Sequence, residues 1–159
     1  MNELNGHDFE DLKKGMTATF AKTITEADIV LFAGVSGDNN AVHINEEFAK
    51  TTRFGGRIAH GFLTASTISA AVANRLPGPG TIYLSQQLNF RAPVRIGQTV
   101  HASVSVSAID HDRRRVTLDA VCRVGETVVI DGQALVMTTS STKRLPTASA
   151  AVVPALSPA

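Results

Sequence analysis

The chain has 159 residues, 43% of them hydrophobic, with one Cys, no Trp and only seven Phe and one Tyr as aromatics. Its 15 basic and 14 acidic side chains leave a net charge of +1, which argues against a dedicated nucleic-acid or polybasic membrane binder. A lone Cys excludes an intrachain disulfide scaffold, and the apolar content excludes a disordered chain.

The length fits one domain. The N-terminus, Met1-Asn2-Glu3-Leu4-Asn5-Gly6-His7-Asp8, is polar and acidic, without the basic and apolar stretches of a signal peptide. The longest uncharged apolar stretch, Gly61 to Asn74, has 14 residues, short of the roughly 20 that span a bilayer. A cytoplasmic protein without membrane attachment is the expectation.

Met16 to Ile24 alternates weakly and predicts a first strand. Thr25-Glu26-Ala27-Asp28 has the spacing of a capping box, with Thr25 as N-cap. The helix it opens carries Ile29, Val30, Phe32 and Ala33 and is expected to end at Gly34 and Gly37. Ser36 to His43 then reads as a loop, and Asn45 as the cap of a short helix, Glu46 to Thr51, with Phe48 pointing inward.

Gly61 to Leu76 is the strongest helix. Its apolar residues cover most of the circumference, so burial on all sides is expected. Pro77-Gly78-Pro79-Gly80 stops it. Strands follow: Ile82 to Phe90, Thr99 to Ile109, Arg115 to Arg123 and Thr127 to Thr139, with a possible bulge at Gly132. The short turns between the later ones require antiparallel pairing.

An antiparallel sheet of about five strands hides such a helix only by curling around it. This is the hot-dog arrangement, an α+β fold. Residues 1–142 form the single domain, and residues 143–159, rich in Ala and Pro, read as a disordered tail. Without Lys143 and Arg144 the domain holds 13 basic against 14 acidic side chains. The sheet edge left over suggests a homodimer.

Two segments carry candidate chemistry. Asp38-Asn39-Asn40-Ala41-Val42-His43 sets an acid and an imidazole five residues apart, a pair suited to proton transfer near neutral pH. The same Asp, Asn and Gly residues also suit a plain Asx turn. Arg53 to Leu63 feeds the long helix and places Gly61 at its N-terminus, where free N–H groups hold an oxyanion. A glycine hinge is the plainer alternative there. The five His lack ligand spacing, so no metal site is expected. Cys122 alternates with Ala120 and Leu118 and reads as core, and His101 as solvated.

Together the two segments resemble the MaoC-like dehydratases, and more narrowly the R-specific 2-enoyl-CoA hydratases that supply polyhydroxyalkanoate monomers. The resemblance rests on Asp38-Asn39-Asn40-Ala41-Val42-His43, Phe48-Ala49 and Ile58-Ala59-His60-Gly61-Phe62-Leu63. It continues through Leu76-Pro77-Gly78-Pro79-Gly80, Ile82-Tyr83-Leu84 and Leu88-Asn89-Phe90-Arg91-Ala92-Pro93-Val94, and spans about residues 10 to 140. Ala41 stands where the family usually has Pro.

The resemblance implies the hot-dog fold, a homodimer, and reversible hydration of trans-2-enoyl-CoA to (R)-3-hydroxyacyl-CoA. It implies that Asp38 and His43 activate water, that the Gly61 N–H binds the thioester carbonyl, that Ser69 bonds near the acid and that Asn40 helps position the loop. No cofactor is implied, because CoA is part of the substrate. Arg91 is a candidate for CoA phosphates, and Phe62 and Ala65 for the acyl chain. The alternatives are a hot-dog thioesterase, a non-catalytic acyl-thioester-binding module, and a hydratase acting on acyl carrier protein.

Overall fold

The computed structural model describes residues 6–141. The expected tail, 143–159, lies outside the described residues. A five-stranded antiparallel sheet runs in the order β1-β3-β4-β5-β2, built from β1 (Thr17–Thr23), β2 (Ile82–Phe90), β3 (Thr99–Asp110), β4 (Arg115–Val124) and β5 (Thr127–Met137). Alternation sends Val100, Ala102, Val104 and Val106 of β3 inward, beside Val116, Leu118, Ala120 and Cys122 of β4. Burying each large aliphatic side chain contributes roughly 1.5–3 kcal/mol. A register shift between Val106 and Ala108 breaks the alternation, leaving Ala108 exposed and Ile109 against the core.

The long helix α4 (Gly61–Asn74) lies on the inner face of the sheet. Leu63, Thr64, Thr67, Ile68, Ala71 and Val72 point into the core. The buried hydroxyls are bonded as burial demands, Thr64 to the His60 carbonyl at 3.3 Å and Thr67 to the Thr64 carbonyl at 2.7 Å. The expectation of burial on all sides is corrected: Phe62 is 68% exposed, and Ser66, Ser69 and Ala73 are exposed too. The sheet covers only one side of α4. An uncharged helix face looks the same in sequence whether it meets core or not.

Among the described residues a 3-10 turn (Phe9–Asp11) and three α-helices precede α4. In α1 (Glu26–Ser36) the capping box is complete, with the Asp28 N–H donating to Thr25 Oγ1 and the Thr25 N–H to the Asp28 carboxylate. Gly34 does not end α1. Gly37 does, at φ 75°, a conformation that suits glycine. The expected loop before His43 closes into one turn, α2 (Ala41–Ile44), and α3 (Glu46–Lys50) follows under its Asn45 cap. Phe48 points outward, 47% exposed, because Ala49 takes the inward position. Gly132 is no bulge either; both its pairings run in register. A Cβ there would sit 1.9 Å from the Gln87 carbonyl oxygen, so glycine is required by the close approach of β2.

Candidate active site

The end of α1 and the start of α2 place the acid. Ser36 Oγ donates to the Phe32 carbonyl at 2.6 Å and accepts from the Asp38 N–H at 3.1 Å. Asp38 Oδ1 accepts from the Asn40 N–H at 3.2 Å, which is the Asx turn expected of these residues. The Asp38 side chain is exposed. Asn40 Oδ1 in turn accepts from the Val42 N–H at 3.2 Å, so Asn40 is the N-cap of α2. Ala41 is then the first helical residue, where proline is favoured because its missing N–H costs nothing.

His43 lies on α2 and is 8% exposed. Its Nδ1 is 2.9 Å from the Ile58 carbonyl oxygen. A carbonyl only accepts, so Nδ1 carries the proton and Nε2 keeps a free lone pair. Burial holds the His43 pKa below the ordinary 6.5; the Ile58 carbonyl and the Asp38 charge pull it up, and His60 pushes it down. The imidazole is therefore a neutral base at pH 7.

His60 is buried at the N-cap of α4. Its Nε2 donates to the Asp38 carbonyl at 3.0 Å, and its ring stacks on His43 with centroids 4.0 Å apart and planes 33° apart. One ligating atom from each of Asp38, His43 and His60 lies within 4.8 Å of the others. Two atoms so spaced hold one bridging water at hydrogen-bond distances of about 2.8 Å.

Gly61 opens α4, and its N–H precedes the first intrahelical bond, made by the Thr64 N–H to the His60 carbonyl at 3.1 Å. A Cβ at Gly61 would fall 2.8 Å from the Phe90 ring. Only glycine lets Phe90 close over this turn. A cavity of about 220 Å³ joins His43 and Gly61, walled by Ile58, Thr64, Phe90 and Ile130.

The structure thus brings together Asp38, Asn40, His43 and Gly61. Arg91 lines the same cavity, but its guanidinium forks onto Asp131, at 2.7 and 3.2 Å, so its charge is already engaged. Phe62, Ala65 and Ser69 lie elsewhere, on an open groove with Tyr83, Gln86 and Leu88. Within this chain Ser69 makes no hydrogen bond to Asp38.

Sequence reasoning missed Arg57 as well as His60. Arg57 Nε donates to the His43 carbonyl at 2.6 Å, and Nη2 bridges to Glu26 of α1 at 2.7 Å. A His beside an uncharged helix that must be buried was a usable signal, since buried polar groups need partners. Nothing local marked Arg57, whose partners are 14 and 31 residues away.

The family described as MaoC like domain matches residues 9–129. The chain is 54% identical over 131 residues to an (R)-specific enoyl-CoA hydratase of Rhodospirillum rubrum, covering 82% of this chain and 91% of that protein. It is 53% identical over 128 residues to a 3-hydroxybutyryl-CoA dehydratase of Methylorubrum extorquens, covering 80% and 82%. Among solved structures, an unliganded R-hydratase from Pseudomonas aeruginosa superposes with a TM-score of 0.81 at 39% identity, covering 86% and 88%. The (R)-hydratase of A. caviae involved in PHA biosynthesis superposes at 0.78 and 37%, covering 81% and 98%. With the family model matched over residues 9–129 and these relatives matched over most of their length, the chain belongs to the MaoC-like dehydratase family.

Proposed function

We propose that the protein catalyses reversible hydration of trans-2-enoyl-CoA to (R)-3-hydroxyacyl-CoA. The observation that carries this reading is a neutral imidazole that shares one cavity with a free helix N-terminal N–H, with a carboxylate oxygen of Asp38 within 4.8 Å of that imidazole. The matched (R)-specific enoyl-CoA hydratase and 3-hydroxybutyryl-CoA dehydratase bear names of this chemistry in its two directions.

Asp38 and His43 Nε2 hold the water between them. His43 takes its proton as oxygen attacks C3, and the Gly61 N–H binds the thioester oxygen as enolate charge develops. The same pair returns a proton to C2 on the face that water entered, which gives syn addition. The thioester itself makes C3 electrophilic, so the reaction needs no cofactor.

A second copy of the chain completes the molecule in this reading, because the open face of α4 and the free edge of β2 adjoin each other. Ser69, Phe62 and Ala65 lie on that face and would contribute to the site of a dimer. Arg91 would reach CoA phosphates only by releasing Asp131. A cytoplasmic location, where CoA thioesters are made and used, and supply of (R)-hydroxyacyl units to polymer synthesis fit the same reading. Among the described residues no helix is long and apolar enough to cross a membrane.

The test is loss of enoyl absorbance when crotonyl-CoA meets the purified protein. Asp38→Asn and His43→Gln should each lower turnover by roughly 10²–10⁴-fold while the circular dichroism stays unchanged. Near-normal turnover in either variant defeats the mechanism. Release of free thiol from saturated acyl-CoA would indicate a thioesterase instead.

A further inference from the structure

His60 is the one buried titratable side chain at the site that this mechanism does not use. We propose that it is a positioning residue that aligns the acid, the base and the oxyanion donor with one another. The inference rests on the hydratase reading for its consequence, and on geometry alone for the arrangement.

Three links converge on it. Its Nε2–H holds the Asp38 carbonyl at 3.0 Å, which fixes the backbone that carries the acid. Its ring stacks on His43 at 4.0 Å, which fixes the plane of the base. Its own peptide bond leads into Gly61, so any shift of His60 moves the oxyanion N–H. Phe32 of α1 also packs against the ring, with centroids 5.0 Å apart.

Other roles fit less well. His60 is 1% exposed, with no surface left to offer a substrate. Nδ1 is buried without a partner, whereas Nε2 is bonded. A ring present only to fill space would leave neither nitrogen committed. The Asp38 carbonyl accepts only from an N–H, so the proton sits on Nε2 and Nδ1 is left bare. An unpartnered buried nitrogen destabilises the fold, and retaining it here makes sense where alignment matters more than stability.

The experiment compares His60→Gln with His60→Leu in the full chain, using crotonyl-CoA. The Gln amide can still donate to the Asp38 carbonyl, and the Leu side chain cannot. His60→Leu should lose about 30-fold or more in kcat, because misplacing reacting groups by about 1 Å costs on the order of 100-fold. KM should move by less than about threefold in both variants, since uniform binding is untouched. His60→Gln should recover most of the loss.

Normal kcat in His60→Leu overturns the proposal, and so does a loss in His60→Gln equal to that in His60→Leu. Should the Leu variant fail to fold, nitrogen-15 NMR of histidine-labelled wild-type protein decides. A ring protonated at Nε2 and bare at Nδ1 is expected, and a ring protonated at Nδ1 overturns the arrangement. A wild-type protein that shows this tautomer but leaves crotonyl-CoA untouched would sink the hydratase reading and not the arrangement.

Discussion

At the scale of single residues, the chemistry turns on which nitrogen of His43 is free. The Ile58 carbonyl takes the Nδ1 proton and leaves Nε2 as the base. Burial favours the neutral ring, and the Asp38 charge opposes burial. The sign of the pH effect follows. A base must be unprotonated to act, so kcat/KM should fall as pH drops through the His43 pKa, and that limb should lie below pH 6.5. Replacing Asp38 with Asn removes a negative charge that stabilises the imidazolium, so His43 should titrate lower still. Proton NMR of the His43 ring in wild type and Asp38→Asn measures both. An Asn variant whose His43 titrates as in the wild type would show that the two side chains do not communicate. Spacing marks Asp38 and His43 as a candidate pair, five residues apart in one polar segment that also suits a plain Asx turn, and the family resemblance gives them their roles. The tautomer is not legible there, because Ile58 lies 15 residues downstream.

At the scale of elements, local rules predicted the frame and distant bonds tune it. The capping box of α1, the Asn45 cap of α3 and the alternation of β3 as far as Val106 all sit within a few residues of their causes, and each appears where the sequence puts it; Ala108, on the inward face by alternation, is turned out by the register shift. The single turn α2 looks like a loop in the sequence because its four residues carry no periodicity to detect. It is too short to persist by itself. Asn40 caps its start, and Arg57, which is largely buried, bonds the His43 carbonyl at its end. Arg57→Met should therefore strand that carbonyl, costing about 1–3 kcal/mol, and lower kcat by loosening His43. Glu26→Gln should cost less than about 1 kcal/mol, since the carboxylate is largely exposed. Urea denaturation and crotonyl-CoA turnover separate the two, and equal losses in both variants would mean that the ion pair, not the carbonyl bond, holds α2.

At the scale of the whole molecule, the sheet ends in two edge strands, β1 and β2, and of these β2 carries the exposed large apolar side chains. β2 is an edge strand, and Ile82, Tyr83, Leu84 and Phe90 are exposed along it. Phe62 of α4 stands beside them, its ring 5.7 Å from that of Phe90. An apolar edge with unpaired backbone groups is a template for pairing, and a second copy satisfies it most simply, edge to edge about a twofold axis. A second apolar patch, Val30, Leu31 and Val35, lies on α1. A helix surface offers no unpaired ladder, so the strand edge is the better interface. Sedimentation velocity should show a dimer for the wild type. Leu84→Glu should shift it toward monomer, because a charge on the joining edge must lose water without gaining a partner. Val35→Glu should leave the dimer intact. If Ser69 and its groove serve the site only in the dimer, Leu84→Glu should also lose crotonyl-CoA turnover in proportion to the monomer formed. A monomeric variant with full turnover would place the whole active site within one chain and leave the open face of α4 without a catalytic role.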